Sequence, residues 1–179
     1  ATDRPHVFNA YGSYIYDWGS SSNSTEFSAF QTFQSGTPQS TTIDFIVPIF
    51  LNRRGDMGRS EMFSQTDFSV THKYRFGRDN KYGVAFNVNI INLFDQKTEM
   101  GVYTDKSNSS LYAGGTTFTD VGCPVGDFPC LIGAFNSGSM YSYLNGLIDN
   151  NPIGVDGRYG QANSFQGARS VRFGFRFFF

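Results

Sequence analysis

Two histidines are the natural candidates for a general base in this sequence, and neither stands where catalysis would need it. His6 and His72 both fall on the apolar side of the strands predicted below, away from any serine or carboxylate that could complete a catalytic pair. No glycine-rich phosphate loop follows a strand and precedes a helix. We therefore expect no catalytic residue, no cofactor and no enzymatic activity.

Oxygen-bearing side chains surround the tripeptide Pro-Ile-Gly late in the chain and could in principle bind Ca²⁺. They are Asp149, Asn150, Asn151 and Asp156. Their spacing differs from that of the twelve-residue calcium loop, and Asp and Asn are equally common in turns. We expect a turn and no metal site.

The tripeptide RGD at residues 54–56 matches an adhesion motif, but it stands inside a longer run that leads into a predicted strand.

Cys123 and Cys130 are the two cysteines, and they enclose a short segment rich in Gly and Pro, CPVGDFPC. A zinc site usually needs four ligands, so this spacing favours a small disulfide loop, with free buried thiols as the alternative. A disulfide indicates an oxidising compartment outside the cytoplasm.

The composition excludes several classes of protein. Lys and Arg number 14 against 15 Asp and Glu, a net charge of -1 that offers no attraction for nucleic acid. The longest apolar run, at residues 45–51, is far shorter than the ~20 residues of a membrane-spanning helix. Aromatic residues make up 17% of the chain, so a disordered chain would leave much apolar surface in water.

Alternation of apolar and polar residues is clearest at the end of the chain. Val171, Phe173, Phe175, Phe177 and Phe179 occupy the odd positions there, while the even positions are mostly Arg and Gly. This period of two indicates a strand with one apolar face. Residues 65–76 and 81–94 show the same alternation on either side of the turn signal GRDN, which predicts a long hairpin.

Strand length favours a membrane setting. We predict strands at residues 5–16, 25–34, 65–76, 81–94 and 168–179, the second with imperfect alternation because Phe27, Phe30 and Phe33 do not share one phase. Strands of about 12 residues exceed the ~5–6 of soluble sandwiches and suit the ~9–11 needed to cross a bilayer at a tilt. The fold class is therefore all-β, a transmembrane antiparallel β-barrel.

The predicted connectors alternate between short and long, as outer-membrane barrels require. Residues 17–24 and 77–80 are short, whereas 35–63 and 95–167 are long and rich in Gly, Ser, Thr and Asn. With the carboxyl terminus in the periplasm, both short turns fall on the periplasmic side and both long loops are extracellular. The same assignment gathers an aromatic girdle near the periplasmic interface. The girdle consists of Tyr14, Tyr16, Trp18, Tyr74, Phe76 and Tyr82, with Phe27, Phe177 and Phe179 nearby.

Five strands cannot close a membrane barrel, because bacterial single-chain barrels have an even count of at least eight. An open edge would also leave unpaired backbone groups in hydrocarbon, each costing several kcal/mol. Residues 1–179 are thus interpreted as one carboxyl-terminal part of a β-barrel domain. The remaining strands would come from another segment, another chain or further copies.

Three stretches of the sequence resemble a known family. They are residues 54–77 (RGDMGRSEMFSQTDFSVTHKYRFG), 84–95 (VAFNVNIINLFD) and 159–179 (YGQANSFQGARSVRFGFRFFF). They are similar to the carboxyl-terminal part of Oar-like TonB-dependent outer-membrane receptors. The earlier segments DRPHVFNA and FQSGTP also resemble that family.

The resemblance implies a receptor whose barrel has about 22 strands around a plug domain. It implies energised import of a large ligand through the TonB complex, although some relatives are linked to export. The plug and the remaining strands would be supplied by the rest of the receptor or by another chain. The final strand resembles the signal read by the barrel-assembly machinery, a role that the resemblance places on Phe173, Phe175, Phe177 and Phe179.

Two other interpretations compete with an outer-membrane receptor. The first is a non-transport barrel component, structural or adhesive, of a surface assembly, embedded in the same outer-membrane lipid. The second is a soluble β-sandwich whose apolar face is turned inward. The sandwich requires that Phe173, Phe175, Val84 and Phe86 lie in a compact core, whereas a membrane barrel leaves them on the outside.

Overall fold

The computed structural model describes residues 3–19, 22–45, 47–108, 115–150 and 154–179. The strands in these ranges are β1 (Val7–Asp17), β2 (Asn23–Gln34), β3 (Thr42–Phe45), β4 (Val47–Phe50), β5 (Phe63–Phe76), β6 (Tyr82–Ile91), β7 (Glu99–Val102), β8 (Ala162–Phe165) and β9 (Ser170–Phe178). The helices are α1 (Gly115–Asp120), α2 (Phe128–Ser137) and α3 (Ser139–Asn150), with a 3-10 turn at Arg78–Asn80. The chain divides into two compact units.

The larger sheet belongs to the unit formed by residues 3–36, 61–100 and 165–179. It has five antiparallel strands in the order β1-β2-β5-β6-β9, so sequential long strands are neighbours throughout. All five predicted strands are present, with ends that differ by a few residues from the expected ones. The antiparallel sheet is therefore confirmed, and the described part of the chain is mostly β with three helices in addition.

The predicted hairpin between β5 and β6 is present, and its turn depends on left-handed backbone conformations. Gly77 has φ 87°, and Asp79 and Asn80 have φ 57° and 56°. A Cβ atom at Gly77 would stand 3.0 Å from the ring of Tyr82. Glycine is therefore required there both by its φ and by the close approach of an aromatic ring.

The irregular phenylalanines of β2 divide between the two faces of the sheet. Phe27 is paired with Val70 of β5 and Phe33 with Ser64, so both lie on the same face. Phe30, paired with Asp67, lies on the other. The imperfect alternation in the sequence thus reflects one aromatic side chain on the second face and no break in the strand.

Although Val7, Tyr11, Ile15, Phe30, Ile91 and Phe178 lie on the opposite face, the register brings most of the larger apolar residues of the five strands to one face. We call it the aromatic face, and its larger members are Phe8, Tyr14, Tyr16, Phe27, Phe33, Phe68, Val70, Tyr74, Phe76, Tyr82, Val84, Phe86, Val88, Ile90, Val171, Phe173, Phe175 and Phe177. The opposite face, the polar face, carries most of the charged and amide side chains of the strands. Side chains that alternate along a strand and pair in register must segregate in this way.

The two ends of the sheet differ in their connections. The short turns between β1 and β2 and between β5 and β6 lie at one end, together with the carboxyl end of β9. The other end carries both long connectors. Since each neighbour is antiparallel, β1 and β9 run in the same direction, and each has a strand partner on one side only among the described residues.

The two segments predicted to be long loops, 35–63 and 95–167, are richer in structure than expected. Residues 37–60 and 101–164 form the second compact unit, with the hairpin of β3 and β4 and three helices. Its core of buried side chains is Ile43, Phe45, Leu51, Phe118, Cys123, Leu131, Ala134, Met140, Leu144 and Ile148. The loop interpretation was wrong because abundant Gly, Ser and Asn masked an apolar face that these two distant segments complete together.

Helix α2 begins and ends with signals that are readable in the sequence. The Asp127 side chain accepts a hydrogen bond from the Cys130 N–H, Pro129 follows in the first turn, and Gly138 ends the helix at φ 84°. In α3, buried Met140, Leu144 and Ile148 recur every four residues. None of the helices within the described ranges has the length and apolar composition needed to span a membrane.

The second unit should depend on Leu144, which is fully buried in its core. Replacing Leu144 by Ala leaves a cavity and should destabilise the unit by about 2–5 kcal/mol. Hydrogen exchange followed by mass spectrometry should show faster exchange of the α3 amides. Ile132, exposed on α2, is the matched control, and its Ala variant should exchange as the wild type does. Equal effects of the two substitutions would contradict the assigned core.

Candidate membrane-facing sheet and rim

The aromatic face is exposed. Phe173 and Phe175 retain 71% and 73% of their accessible surface, and Phe86 retains 47%. Neighbouring rings lie close across strands, with the centroids of Phe86 and Phe173 6.3 Å apart. A soluble β-sandwich would bury these side chains, so their exposure argues against it, as a contiguous apolar surface of this kind requires a partner or a membrane.

The six predicted girdle residues lie toward the short-turn end of the sheet. Tyr16 packs edge-on against Trp18, with ring centroids 4.9 Å apart. Phe76 lies between Tyr74 and Tyr82, at 6.1 and 6.0 Å. Tyr14 stands one position further up the same face, paired with Phe27. In the pairing register Tyr14 is level with Val70 and Tyr16 with His72, whereas Tyr74, Phe76 and Tyr82 lie further along β5 and β6, so the six rings occupy successive rows of the aromatic face.

The residues proposed as an assembly signal form one exposed row along β9. Phe173, Phe175 and Phe177 lie on the aromatic face, and Phe179 follows the strand with its ring 6.3 Å from that of Phe177. All four are exposed. This row lies on an edge strand, so its backbone and its side chains are both available to a partner.

His72 lies on the aromatic face, as its phase in the sequence predicted, and it is paired across strands with Thr25 and Phe86. The Thr25 hydroxyl accepts a hydrogen bond from the Trp18 indole N–H at 2.9 Å and shares a second one with His72 Nδ1, also at 2.9 Å. A polar chain of three side chains therefore satisfies His72 near the girdle. His6 precedes β1, and its backbone pairs with Ser35. His6 and His72 therefore lie toward opposite ends of the sheet and do not form a pair.

The polar face contains a shallow trough of about 420 Å³ with a floor of small residues. Buried Ala85 and the half-buried Gly174 form the floor, and Lys73 pairs with Glu26 at 3.4 Å on one side. The Asn87 amide donates to the Thr71 hydroxyl at 2.8 Å. At this trough the polar face carries charged and amide side chains that are cross-linked in part by hydrogen bonds, with Phe178 beside them.

A compact turn at the other end of the sheet ends β6 and joins three strands. We call residues 92–96 the rim turn. β6 stops at Ile91, short of the predicted 94, because Asn92 and Asp95 adopt φ 55° and 53°. Such left-handed conformations end a strand and favour Asn and Asp over most other residues.

Asn92 is the centre of the rim turn and is only 1% exposed. Its amide donates to the Gln96 and Gly167 carbonyls, both at 2.9 Å, and its side-chain oxygen accepts from the Gln96 N–H at 3.0 Å. Its own N–H donates to Asp67 of β5 at 2.9 Å. One buried side chain therefore connects the end of β6 with the segment that leads into β9.

A second set of hydrogen bonds fixes the start of β9 against the rim turn. The Arg169 N–H donates to the Asp95 carboxylate at 3.0 Å, and the Arg169 guanidinium lies 3.4 Å from the Leu93 carbonyl oxygen. The Arg169 N–H bond, with help from Lys97, holds the pKa of Asp95 below its usual value. The segment Asn-Leu-Phe-Asp, noted in the sequence for its resemblance, thus has a structural role.

The other sequence candidates lie in the second unit and are occupied by internal partners. The Asp56 carboxylate of the RGD tripeptide accepts hydrogen bonds from the Thr41 N–H and the Asn52 amide, at 2.8 and 3.0 Å. Burial raises the pKa of Asp56, but these bonds outweigh it and the pKa is lowered. Arg54 lies over the Phe50 ring at 5.0 Å. The tripeptide is therefore part of an ordered turn whose Arg and Asp side chains have partners within the same unit.

Of the four oxygen-bearing residues around Pro-Ile-Gly, the structure describes Asp149, Asn150 and Asp156. Asp149 and Asn150 end α3, and Asn151 lies outside the described residues. Asp156 is held by the Arg158 side chain at 2.8 Å, which lowers the pKa of Asp156 to about 2. In the part of the chain that the structure describes, no three carboxylate, imidazole or thiolate groups converge as metal ligands.

The predicted disulfide between Cys123 and Cys130 is present, with the two Cα atoms 5.8 Å apart. It joins the segment after α1 to the first turn of α2. Three exposed apolar residues, Val125, Phe128 and Ile132, lie on or beside this loop. The disulfide therefore fixes the position of a small apolar surface.

Comparison of the chain with family models, with curated proteins and with solved structures gave no match. The function is therefore inferred from the geometry of the sheet and its rim.

The hydrogen bonds of Asn92 should contribute strongly to the stability of the sheet. Asn92→Gly keeps the left-handed backbone but removes three side-chain hydrogen bonds. It should lower the free energy of unfolding by about 1–3 kcal/mol. Asn92→Ala also adds the strain of positive φ and should cost more. Urea unfolding monitored by Trp fluorescence measures both. If Ala were tolerated as well as Asn, the rim turn would not have this role.

Proposed function

We propose that the chain is the carboxyl-terminal barrel segment of an outer-membrane receptor of the TonB-dependent, Oar-like type. The observation that carries the proposal is the five-stranded antiparallel sheet with one exposed aromatic face and one hydrophilic face. In a bilayer the aromatic face would meet the acyl chains and the polar face would line the lumen. Insertion into a membrane thereby transfers the apolar surface of the aromatic face out of water, which is favourable.

Strand length supports this proposal. The five strands have 11, 12, 14, 10 and 9 residues. At about 3.3 Å per residue and a tilt of roughly 40°, they span about 23–35 Å, which matches the apolar band of an outer-membrane barrel. The tyrosines and Trp18 at the short-turn end would mark the periplasmic interface. The carboxyl terminus would then be periplasmic, and the second unit would be built from extracellular connectors.

The direction of the edge strands supports a barrel completed by other strands. Because β1 and β9 run the same way, an antiparallel closure needs an odd number of additional strands between them. Five plus an odd number is even, as in bacterial single-chain barrels. Copies oriented alike in a membrane would meet through parallel edges, so a ring of copies does not fit. The rest of the receptor, or another chain, is the source that we propose.

The resemblance in the sequence extends the proposal to transport. A plug inside the barrel, a contact with the TonB complex and delivery by the barrel-assembly machinery through the terminal aromatic residues belong to that family pattern. The cargo would be a large ligand, imported or exported. The second unit, whose disulfide fixes an apolar surface, is the region that we assign to ligand or partner contact.

A non-transport barrel component is the second candidate, because the sheet geometry suits it equally. Mass spectrometry of the intact protein extracted from outer membranes separates the two. A single polypeptide with a plug and a TonB-contacting segment supports transport. A separate chain of 20.0 kDa assembled with partner strands supports the structural role.

In the complete protein, with any Trp outside residues 1–179 replaced by Phe, Trp18 should report the depth of the sheet in a membrane, since it is the one Trp of these residues and is exposed near the girdle. In vesicles, lipids brominated near the glycerol backbone should quench its fluorescence more than lipids brominated near the chain ends. Lack of quenching by either lipid would exclude a lipid-facing girdle.

Neighbouring residues of β5 should differ in how strongly a positive charge destabilises the sheet in a membrane. Val70→Arg places a cation on the aromatic face at mid-strand and should cost about 2–4 kcal/mol in a bilayer, whereas Ser69→Arg, on the polar face, should cost about 1 kcal/mol or less. Folding of the complete protein into vesicles, measured by its heat-modifiable mobility on gels, provides the comparison. A larger loss for Ser69→Arg would reverse the assignment of the faces.

A further inference from the structure

The edge strand β9 carries two arginines, Arg172 and Arg176, that form no ion pair with a carboxylate of the described residues. Arg172 and Arg176 are exposed on the polar face, and on β6 they are paired with Asn89 and Ala85. Among the described strands, the ion pair on this face joins Lys73 and Glu26, on the far side of β6. The Arg176 guanidinium has the Phe178 ring 6.0 Å away as its neighbour.

The unpaired edge of β9 therefore has a defined chemical pattern. Cationic residues alternate with aromatic ones that point to the opposite face, and Gly174 leaves space between the two arginines. A Cβ atom at Gly174 would meet Asn87 only at 3.7 Å. Side chains directly opposite on neighbouring strands are most favourable when charges are opposite or when both are apolar. Guanidinium groups bind carboxylates with paired, directional hydrogen bonds.

We propose that the strand completing the free edge of β9 runs antiparallel to it and carries acidic residues opposite Arg172 and Arg176. In an antiparallel register these two acidic residues are four positions apart in the partner strand. Residues on its other face, opposite Phe173 and Phe175, are apolar. This inference rests on the proposed barrel and adds the chemistry of the strand that closes it.

A second copy of this chain does not fit the edge. The β1 edge of a like-oriented copy would be parallel to β9, and its polar-face carboxylate is Asp17 alone, at one end of the strand. The β9 edge of a second copy, paired antiparallel about Gly174, would place Arg172 opposite Arg176, and in any antiparallel register it would invert that copy in the membrane. Like charges directly opposite are destabilising. The partner is therefore a different strand.

Charge reversal at the edge provides the first test, in the complete protein as it is extracted from outer membranes. The double variant Arg172→Glu with Arg176→Glu should lower the ratio of folded to unfolded protein, seen as heat-modifiable mobility, by about fivefold to thirtyfold. The conservative pair of Lys substitutions should retain most of the folded form.

Arg75→Glu is the matched control, because Arg75 lies on the same face of the interior strand β5 and is also exposed. It should change the ratio by less than about twofold. If the double edge variant behaves like Arg75→Glu, the acidic partner strand is excluded.

Photo-crosslinking identifies the partner directly. A photoreactive amino acid at position 172, activated in intact outer membranes, should capture a peptide with Asp or Glu at the crosslinked position or next to it, and a second acidic residue four positions away. Capture of β1 from another copy, capture of a peptide without this pattern, or no capture would overturn the proposal.

These outcomes are distinct from failure of the proposed function. Without an acidic partner strand, Trp18 would still be quenched by lipid and the protein would still require detergent. A water-soluble protein would show neither quenching of Trp18 by lipid nor a requirement for detergent.

Discussion

Pairing in a single register across five strands is the constraint on which the rest of the structure depends. A shift of one residue in any strand would move its whole apolar set to the opposite face. Phe27, Val70, Val88 and Phe173 lie in one row across four strands, each opposite the next. The two faces, the grouping of the rings at one end and the availability of both edges follow from this register.

The rim turn holds β9 in register with β6 although a long segment of the chain separates the two strands. Nearly eighty residues separate β6 from β9, and most of them fold into a unit with its own core. A connection of this length does not by itself set the position of β9, since the entropy of loop closure varies only slowly with length. The hydrogen bonds of Asn92 with Gly167 and of Asp95 with Arg169 supply the missing constraint locally. The second unit can therefore have its own structure without altering the sheet.

The long strands were predictable because their period of two extends over ten residues or more, and a signal of that length is hard to produce by chance. The hairpin turn at Gly77 and the disulfide were predictable from local chemistry. The second unit was not, because its core joins Ile43 and Phe45 to Leu131 and Leu144, which are distant in sequence. The helices themselves left readable signals, namely Asp127 with Pro129 at the start of α2 and the four-residue repeat in α3. The buried role of Asn92 could not be predicted, since an Asn before Leu-Phe-Asp is equally compatible with an exposed turn.

The common direction of the two edge strands limits how a sheet of this kind can change over evolution. In the barrel that we propose, gain or loss of one strand would reverse an edge and prevent antiparallel closure, whereas gain or loss of a whole hairpin would preserve it. Size variation in such an architecture is therefore expected in steps of two strands. The length of the connectors does not affect the direction of the strands, so the connectors can lengthen by any number of residues.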